Sequence, residues 1–221
     1  RGRGKTVLMT EFLSLADLHA LARDCLTRAG APEGVARAVA AEVAAAEAAG
    51  ERANGMEALL RDIRLMRYGR LTPATQAQQI RTRPGFMRLD AHHGFAAAAL
   101  SGVVSDLAGL ARAQGIAVLR LERSSDPGGM ICATASLGER GLAVLAFGPE
   151  GPGRIGHPYL SGPAALPTPP RDALRLPFPD IDPTQPADSP IGGPVGHVGW
   201  LIALDAAFAG DLFASVAICD G

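Results

Sequence analysis

The chain has 221 residues, 48% of them hydrophobic and 19% charged, with a formal net charge of −1, which excludes global disorder and leaves enough apolar mass for one sizeable core. Balanced charge and only 5% aromatic residues argue against a phosphate-backbone binder or a base-stacking platform, so no nucleic-acid partner is expected. Three scattered cysteines, Cys25, Cys132 and Cys219, make neither a disulfide framework nor a metal site, and no apolar run approaches the roughly 20 residues of a membrane span; a protein of the reducing cytoplasm, without membrane or metal, is expected.

Residues 1–8 read as an extension ahead of Met9, which would be a native start, with no charged-then-apolar leader; 9–70 read as a helical region. Ser14 followed by Asp17 predicts an N-cap with an acidic first turn, and Leu15, Leu18, Leu21, Cys25 and Leu26 recur at helical spacing. Gly30 closes that helix and Pro32 opens the next. From Glu33 to Ala49 the chain is mostly alanine, valine and glutamate, with Val35, Val39 and Val43 on one narrow stripe. Such small residues permit close helix packing or a subunit contact. A third helix is predicted over 56–68, burying Leu59, Leu60, Ile63 and Met66.

The period changes in 71–148, read as an α/β core. A strand is predicted over 86–90, a turn at Ala91-His92-His93-Gly94, and one long helix over 95–114. Strands follow over 116–121 and 142–147, with a short helix between them within 128–137. This order predicts an α/β class with a mixed βαβαβ core. Residues 149–194 hold thirteen of the seventeen prolines and are expected to be an extended or mobile segment. In 195–221, the apolar run from Trp200 to Ala217 is expected to be a buried helix packed on the core.

Two nucleotide-like motifs lack their context. Gly151-Pro152-Gly153-Arg154-Ile155-Gly156 spells the dinucleotide pattern, but His157-Pro158 follows where a helix must start. Gly4-Lys5-Thr6 lacks the strand and first glycine of a phosphate loop. His92 and His93 would need a third ligand to hold a metal; a solvated turn with one imidazole bound to the backbone is the weightier reading. The stretch Ser124-Ser125-Asp126-Pro127-Gly128-Gly129 either offers amides and hydroxyls to an anion or is an ordinary helix cap at Asp126. Cys132, inside an apolar run, reads as packed rather than reactive.

Taken in order, these segments resemble the malate/L-lactate dehydrogenase family, which also holds ureidoglycolate, sulfolactate and cyclic-imine reductases. The resemblance rests on the N-terminal helices, on RLDAHHGFAAAAL as strand, turn and helix, on ARAQGIAVLRLERSSDPGGMICATASLGERGLAVLAF, and on GWLIALDAAFAG. It implies an α/β fold with helices at the N-terminus, a homodimer with clefts between subunits, an NAD(P) cofactor, and a small organic acid or cyclic imine as substrate.

The family's R-G-H-x-S-H-G-V-x-R stretch reads AGERANGMEALL here. The resemblance puts Asn54 at the proton-donating histidine, Ala53 at a substrate-holding serine and Ala58 at a substrate-holding arginine. It puts Asp126 or Pro127 at a second histidine, and Gly196, beside His197, at a lysine. A neutral amide exchanges no proton near pH 7, and general acid–base help is worth about 10² to 10⁴ in rate. The expected function is therefore a diverged scaffold that has lost hydride transfer and binds a small molecule or a partner subunit. The competing expectation is an active NAD(P)-dependent oxidoreductase with a relocated acid at His92, His93 or His197. Asn54, Ser124, Ser125 and Asp126 are the candidate substrate-binding residues.

Overall fold

A computed structural model describes residues 13–128, 130–147, 159–161 and 195–205. Helix α1 (Leu15–Arg28) starts where Ser14 accepts the Asp17 amide at 3.1 Å, as the cap pattern predicts. Helix α2 (Glu33–Ala48) buries Val39 and Val43 together with Ala36, Ala40 and Ala46, so the stripe is broader than valines alone suggest. After a short 3-10 turn, Arg52–Asn54, helix α3 runs over Met56–Arg67. Here the expected buried face shifts: Leu59 and Asp62 are buried, whereas Leu60 is 54% exposed. These helices share a core in which Leu26, Val39, Val43, Leu59 and Phe95 meet.

Strands β1 (Gln78–Arg83) and β2 (Phe86–Gly94) form a hairpin. The first was not foreseen, because QQIRTR carries one apolar residue and no alternation. The second outruns its predicted end, and His92 and His93 lie within it rather than in a turn after it. Both take left-handed φ angles, 49° and 64°, at a register shift against the next strand. The expected long helix is two, α4 (Ala96–Ser101) and α5 (Val104–Gln114). Ser101 turns its hydroxyl back to the Ala98 carbonyl at 2.8 Å beside Gly102, a pairing that interrupts helices. Strand β3 (Ile116–Ser124), helix α6 (Ile131–Glu139) and strand β4 (Leu142–Phe147) follow, then β5 (Tyr159–Ser161) and β6 (His197–Asp205).

The six strands lie in the order β1-β2-β3-β6-β4-β5. Strands β2 and β3 are parallel, and β6 runs antiparallel between β3 and β4, so the α/β class and the mixed sheet hold. The expected C-terminal helix does not hold over 200–205, which is strand. A strand inserted into the middle of a sheet is apolar on both faces and reads as a continuous run, which is why it mimicked a buried helix. Residues 206–217 of that prediction, Gly151–Gly156 and Gly4–Thr6 fall outside the described residues, as does the proline-rich segment apart from β5. Among the described residues no helix is long and apolar enough to cross a membrane, and no group of three or more His, Cys, Asp or Glu could hold a metal.

The sheet's own core packs Leu89, Leu119, Leu121 and Leu201 against α5 and α6 residues such as Leu107 and Leu137. One carboxylate ties it to the helical layer. Glu42 of α2 accepts the Ile131 amide at 2.5 Å and the Cys132 amide at 2.9 Å, closing the positive end of α6. Replacing Glu42 by alanine leaves two amides unbonded, and is expected to lower unfolding stability by about 1–3 kcal/mol. Urea unfolding with an unchanged midpoint would contradict this.

Candidate functional site

The cleft forms at the carboxyl ends of β2 and β3, where open α/β sheets place ligands. Its walls come from α2, α3 and the loop between β3 and α6. Glu47 fixes the entry to α3 by accepting the Met56 amide at 2.8 Å. Gly55 is required there, since a Cβ would come within 2.2 Å of that carboxylate. Asn54 donates its amide to Glu51 at 3.0 Å, and its carbonyl oxygen lies where a Cβ on Gly128, itself at φ +52°, would be 3.1 Å away. Asp126 accepts the Gly128 amide at 3.0 Å, so it shapes its own loop. Met130, not Asp126, stands at the N-cap of α6, and the amides behind it belong to Glu42. The ordinary helix cap expected at Asp126 is therefore not formed.

Of the candidates, Asn54, Ser125 and Asp126 line one cleft, together with Ala58, Arg61 and Asp62. Ser125 accepts the Ala96 amide at 3.1 Å, which leaves its hydroxyl proton to donate. Ser124 is fully buried, its hydroxyl 2.7 Å from the Ser125 carbonyl and 3.4 Å from that of His197. It supports the wall without lining it. His197 borders the cleft electrostatically. Burial pushes its pKa below the ordinary imidazole value, against the pull of Asp126 and with the push of Arg61 and Arg70.

The other two histidines stand apart. His93 bonds the Val195 carbonyl at 2.6 Å through Nδ1, which fixes the proton on that nitrogen and gives the ring a bracing role; the imidazole–backbone bond of the weightier sequence reading is present, but in a strand rather than a solvated turn. His92 faces a charged cluster, its Nδ1 3.0 Å from the Arg123 guanidinium. Arg123 also clasps Asp90. Burial alone would raise the Asp90 carboxyl, but hydrogen bonds from Arg123 and from the His92 amide hold it below its usual range. Cys132 is half-buried rather than fully packed, and its thiol is pushed up to about 12 by burial and then by Glu42.

Two cleft residues escaped the sequence reading. Asp62 sits between Leu59 and Met66 on the inward face of α3, at i+3 and i−4; a charge at a core position was the missed signal. It is 6% exposed. Burial outweighs the Arg61 charge and raises its pKa from 3.8 to about 6. Arg61 places Nε 3.4 Å from Asp62 Oδ1 and Nη1 3.5 Å from Asp126 Oδ2. The open space among these groups is about 40 Å³, against the roughly 10–15 Å³ that one water needs. It admits a water or a carboxylate group.

The family model for malate/L-lactate dehydrogenase matches residues 13–166. The chain belongs to the malate/L-lactate dehydrogenase family. It is similar to a Δ1-pyrroline-2-carboxylate reductase of Pseudomonas fluorescens, 29% identical over 144 residues that span 64% of this chain and 43% of the relative. A second enzyme of that name, from Ancylobacter novellus, is 33% identical over 135 residues, 61% of this chain and 40% of the relative. The chain thus spans about two fifths of the length of either. The malate dehydrogenase structure from Pyrococcus horikoshii superposes with a TM-score of 0.65 at 13% identity, covering 98% of this chain and 83% of that one, a likeness of fold. The family assignment agrees with the resemblance read from the sequence; the relatives' names lend no support to a loss of catalysis.

A nicotinamide dinucleotide, which the resemblance implies, does not fit at the α6 amides or beside Asn54. The amides that open α6 are bonded to Glu42, and the cleft beside Asn54 is far too small for it. A larger cavity of about 670 Å³, lined by Arg83, Gly85, Phe86, Gln114 and Ile116, lies at the amino ends of the strands, away from Asn54.

The Asp62 shift has a stability signature. A carboxyl whose pKa is raised on folding binds more protons folded than unfolded between about 4 and 6, so its contribution falls as pH rises through that window. The Asp62→Asn variant lacks this loss. It should be about as stable as wild type at pH 4 and more stable at pH 7.5, by about 1–3 kcal/mol. Urea midpoints at both pH values check this, and a gap that does not widen with pH would contradict it.

Proposed function

We propose that the chain binds a small organic acid or cyclic imine in the cleft beside α3, as a cytoplasmic homodimer of the dehydrogenase family whose hydride chemistry has lapsed. The observation that carries this reading is Asn54. It lines the cleft where the resemblance calls for a proton-donating histidine, and its amide is bonded to Glu51. The α6 amides are closed by Glu42, in keeping with a site that binds without turning over. An amide, a serine hydroxyl and a guanidinium suit hydrogen bonding to a singly charged acid.

A second reading has its own support: an NAD(P)-dependent oxidoreductase reducing a 2-oxo acid or cyclic imine with a relocated acid. Asp62 favours it, since a carboxyl with a pKa near 6 in the same cleft has the proton affinity that acid catalysis at neutral pH uses. Among the histidines, His197 fits better than His92 or His93, which are tied up elsewhere. The names of the two reductase relatives point the same way.

Titration with NADH and NADPH, followed by fluorescence, separates the readings, together with assays on Δ1-pyrroline-2-carboxylate and pyruvate. No cofactor binding at millimolar concentration and no turnover are expected. Turnover with a bell-shaped pH profile that survives Asn54→Ala but not Asp62→Asn would replace the first reading with the second. Light scattering at micromolar concentration is expected to return the dimer mass, and the monomer mass throughout that range would refute the association.

A further inference from the structure

Arg61 is the one cation among the described residues lining the cleft, and its partners hold it loosely. Its two contacts, 3.4 Å to Asp62 and 3.5 Å to Asp126, exceed the 2.7–3.2 Å of well-formed hydrogen bonds to nitrogen donors. Its side chain is 43% exposed. A guanidinium carries five N–H groups in a fixed fork that matches a carboxylate edge-on. Ser125 and Asn54 line the same cleft, with a hydroxyl proton and an amide to offer. The open space takes the carboxylate group of a ligand, with the remainder of the molecule outside it.

We propose that Arg61 is the carboxylate-recognising residue of this cleft, and that Asp62 competes with the ligand for the same guanidinium in a proton-dependent way. This rests on the reading that the cleft binds a small organic acid. Arg61 sits one turn beyond Ala58, where the resemblance puts a substrate-holding arginine, so recognition has moved along α3 rather than vanished. The ligand class that follows is a monocarboxylate on a small planar ring or a 2-oxo acid. A dicarboxylate would set a second negative charge among Asp62, Asp126 and Glu42.

The proton dependence follows from the charges around Asp62. Arg61 adjoins it on α3 and Asp126 faces it from the β3–α6 loop. Glu42 lines the cleft from α2, and His197 on β6 and Arg70 after α3 border it. With Asp62 ionised, two carboxylates neutralise one guanidinium and repel a third. Below its raised pKa, about 6, one competitor is gone and the ligand takes its place. A ligand carboxylate with an ordinary pKa stays ionised over this range. His197, whose pKa burial lowers, adds positive charge only toward the acid end.

Calorimetric titration with pyrrole-2-carboxylate between pH 5.5 and 8 tests the proposal. Wild-type affinity is expected to fall about tenfold over that range, a difference of one pKa-sized coupling. In Asp62→Asn the fall should largely disappear, with tight binding retained at pH 7.5. Arg61→Met should weaken binding by about 10- to 100-fold, as loss of charged hydrogen bonds does. Arg61→Lys, which keeps the charge without the fork, should fall between, and serves if the methionine variant fails to fold. Adding Ala58→Arg to Arg61→Met should recover part of the affinity from the preceding turn.

Equal affinity in wild type and both Arg61 variants would overturn the proposal while leaving the binding cleft standing. A wild-type pH dependence that persists unchanged in Asp62→Asn would overturn the role of Asp62. No binding of pyrrole-2-carboxylate or pyruvate by wild type at 10 mM, on the order of the weakest specific affinities, would remove the binding reading and this inference with it.

Discussion

The carboxylate of Glu42 reaches out of α2 to the first two amides of α6, and the cleft exists because of that span. Beside the non-directional apolar contacts between the helical layer and the sheet and the looser Arg61–Asp126 contact, it is a short directional tie. With it, α2 is fixed against the loop that carries Ser125, Asp126 and Gly128. Glu47, one turn further along α2, repeats the device on the other wall by capping α3 at Met56. Two glutamates on one helix thus set both walls, and Gly55 and Gly128 are bare so that the walls can approach.

The charge pattern inside follows from this framework. Every charged lining residue except Arg61 is acidic, and Glu42 is spent on helix amides. The rest of the local electrostatics is a contest between Asp62 and Asp126 for one guanidinium. Burial settles part of it by raising the Asp62 carboxyl from 3.8 to about 6, against the pull of Arg61. His197 moves the opposite way for the same reason, since burial disfavours its charged form.

The sequence was most legible where local chemistry and tertiary structure agree. The Ser14 cap, the Val39–Val43 stripe and the strands around Leu119 and Val144 are each set by nearest-neighbour pattern, and the structure keeps them. It was least legible where burial on two sides erased the period. Strand β6 looked helical because Leu201 and Ala203 face one core while Trp200 and Ile202 face another. Among the site candidates, Asn54, Ser125 and Asp126 come together in one cleft. His92 and His93 lie apart from it, in a strand with two left-handed residues, a conformation that is uncommon for any residue but glycine and so carries little sequence signal. Asp62 and Glu42 were readable in principle, as charges at helix positions in register with buried neighbours, but only once the buried face of each helix was known.

The strained pair at His92 and His93 has a structural logic that bears on the cleft. Strands β2 and β3 leave register between Asp90 and Gly94, and Arg123 opposite is also left-handed, at φ 51°. Left-handed residues of this kind cost of order 1–3 kcal/mol each and persist only where the surroundings fix them. Here the Arg123–Asp90 ion pair and the His92 amide bond fix one side, and the His93 bond to Val195 fixes the other. The bend they hold lets Gly94 accept the Ser125 amide at 2.8 Å, and Ser125 in turn accepts the Ala96 amide. The strain therefore positions Ser125 at the cleft wall. The hydrogen bonds of His92 and His93 thus brace the strand end next to which Ser125 sits.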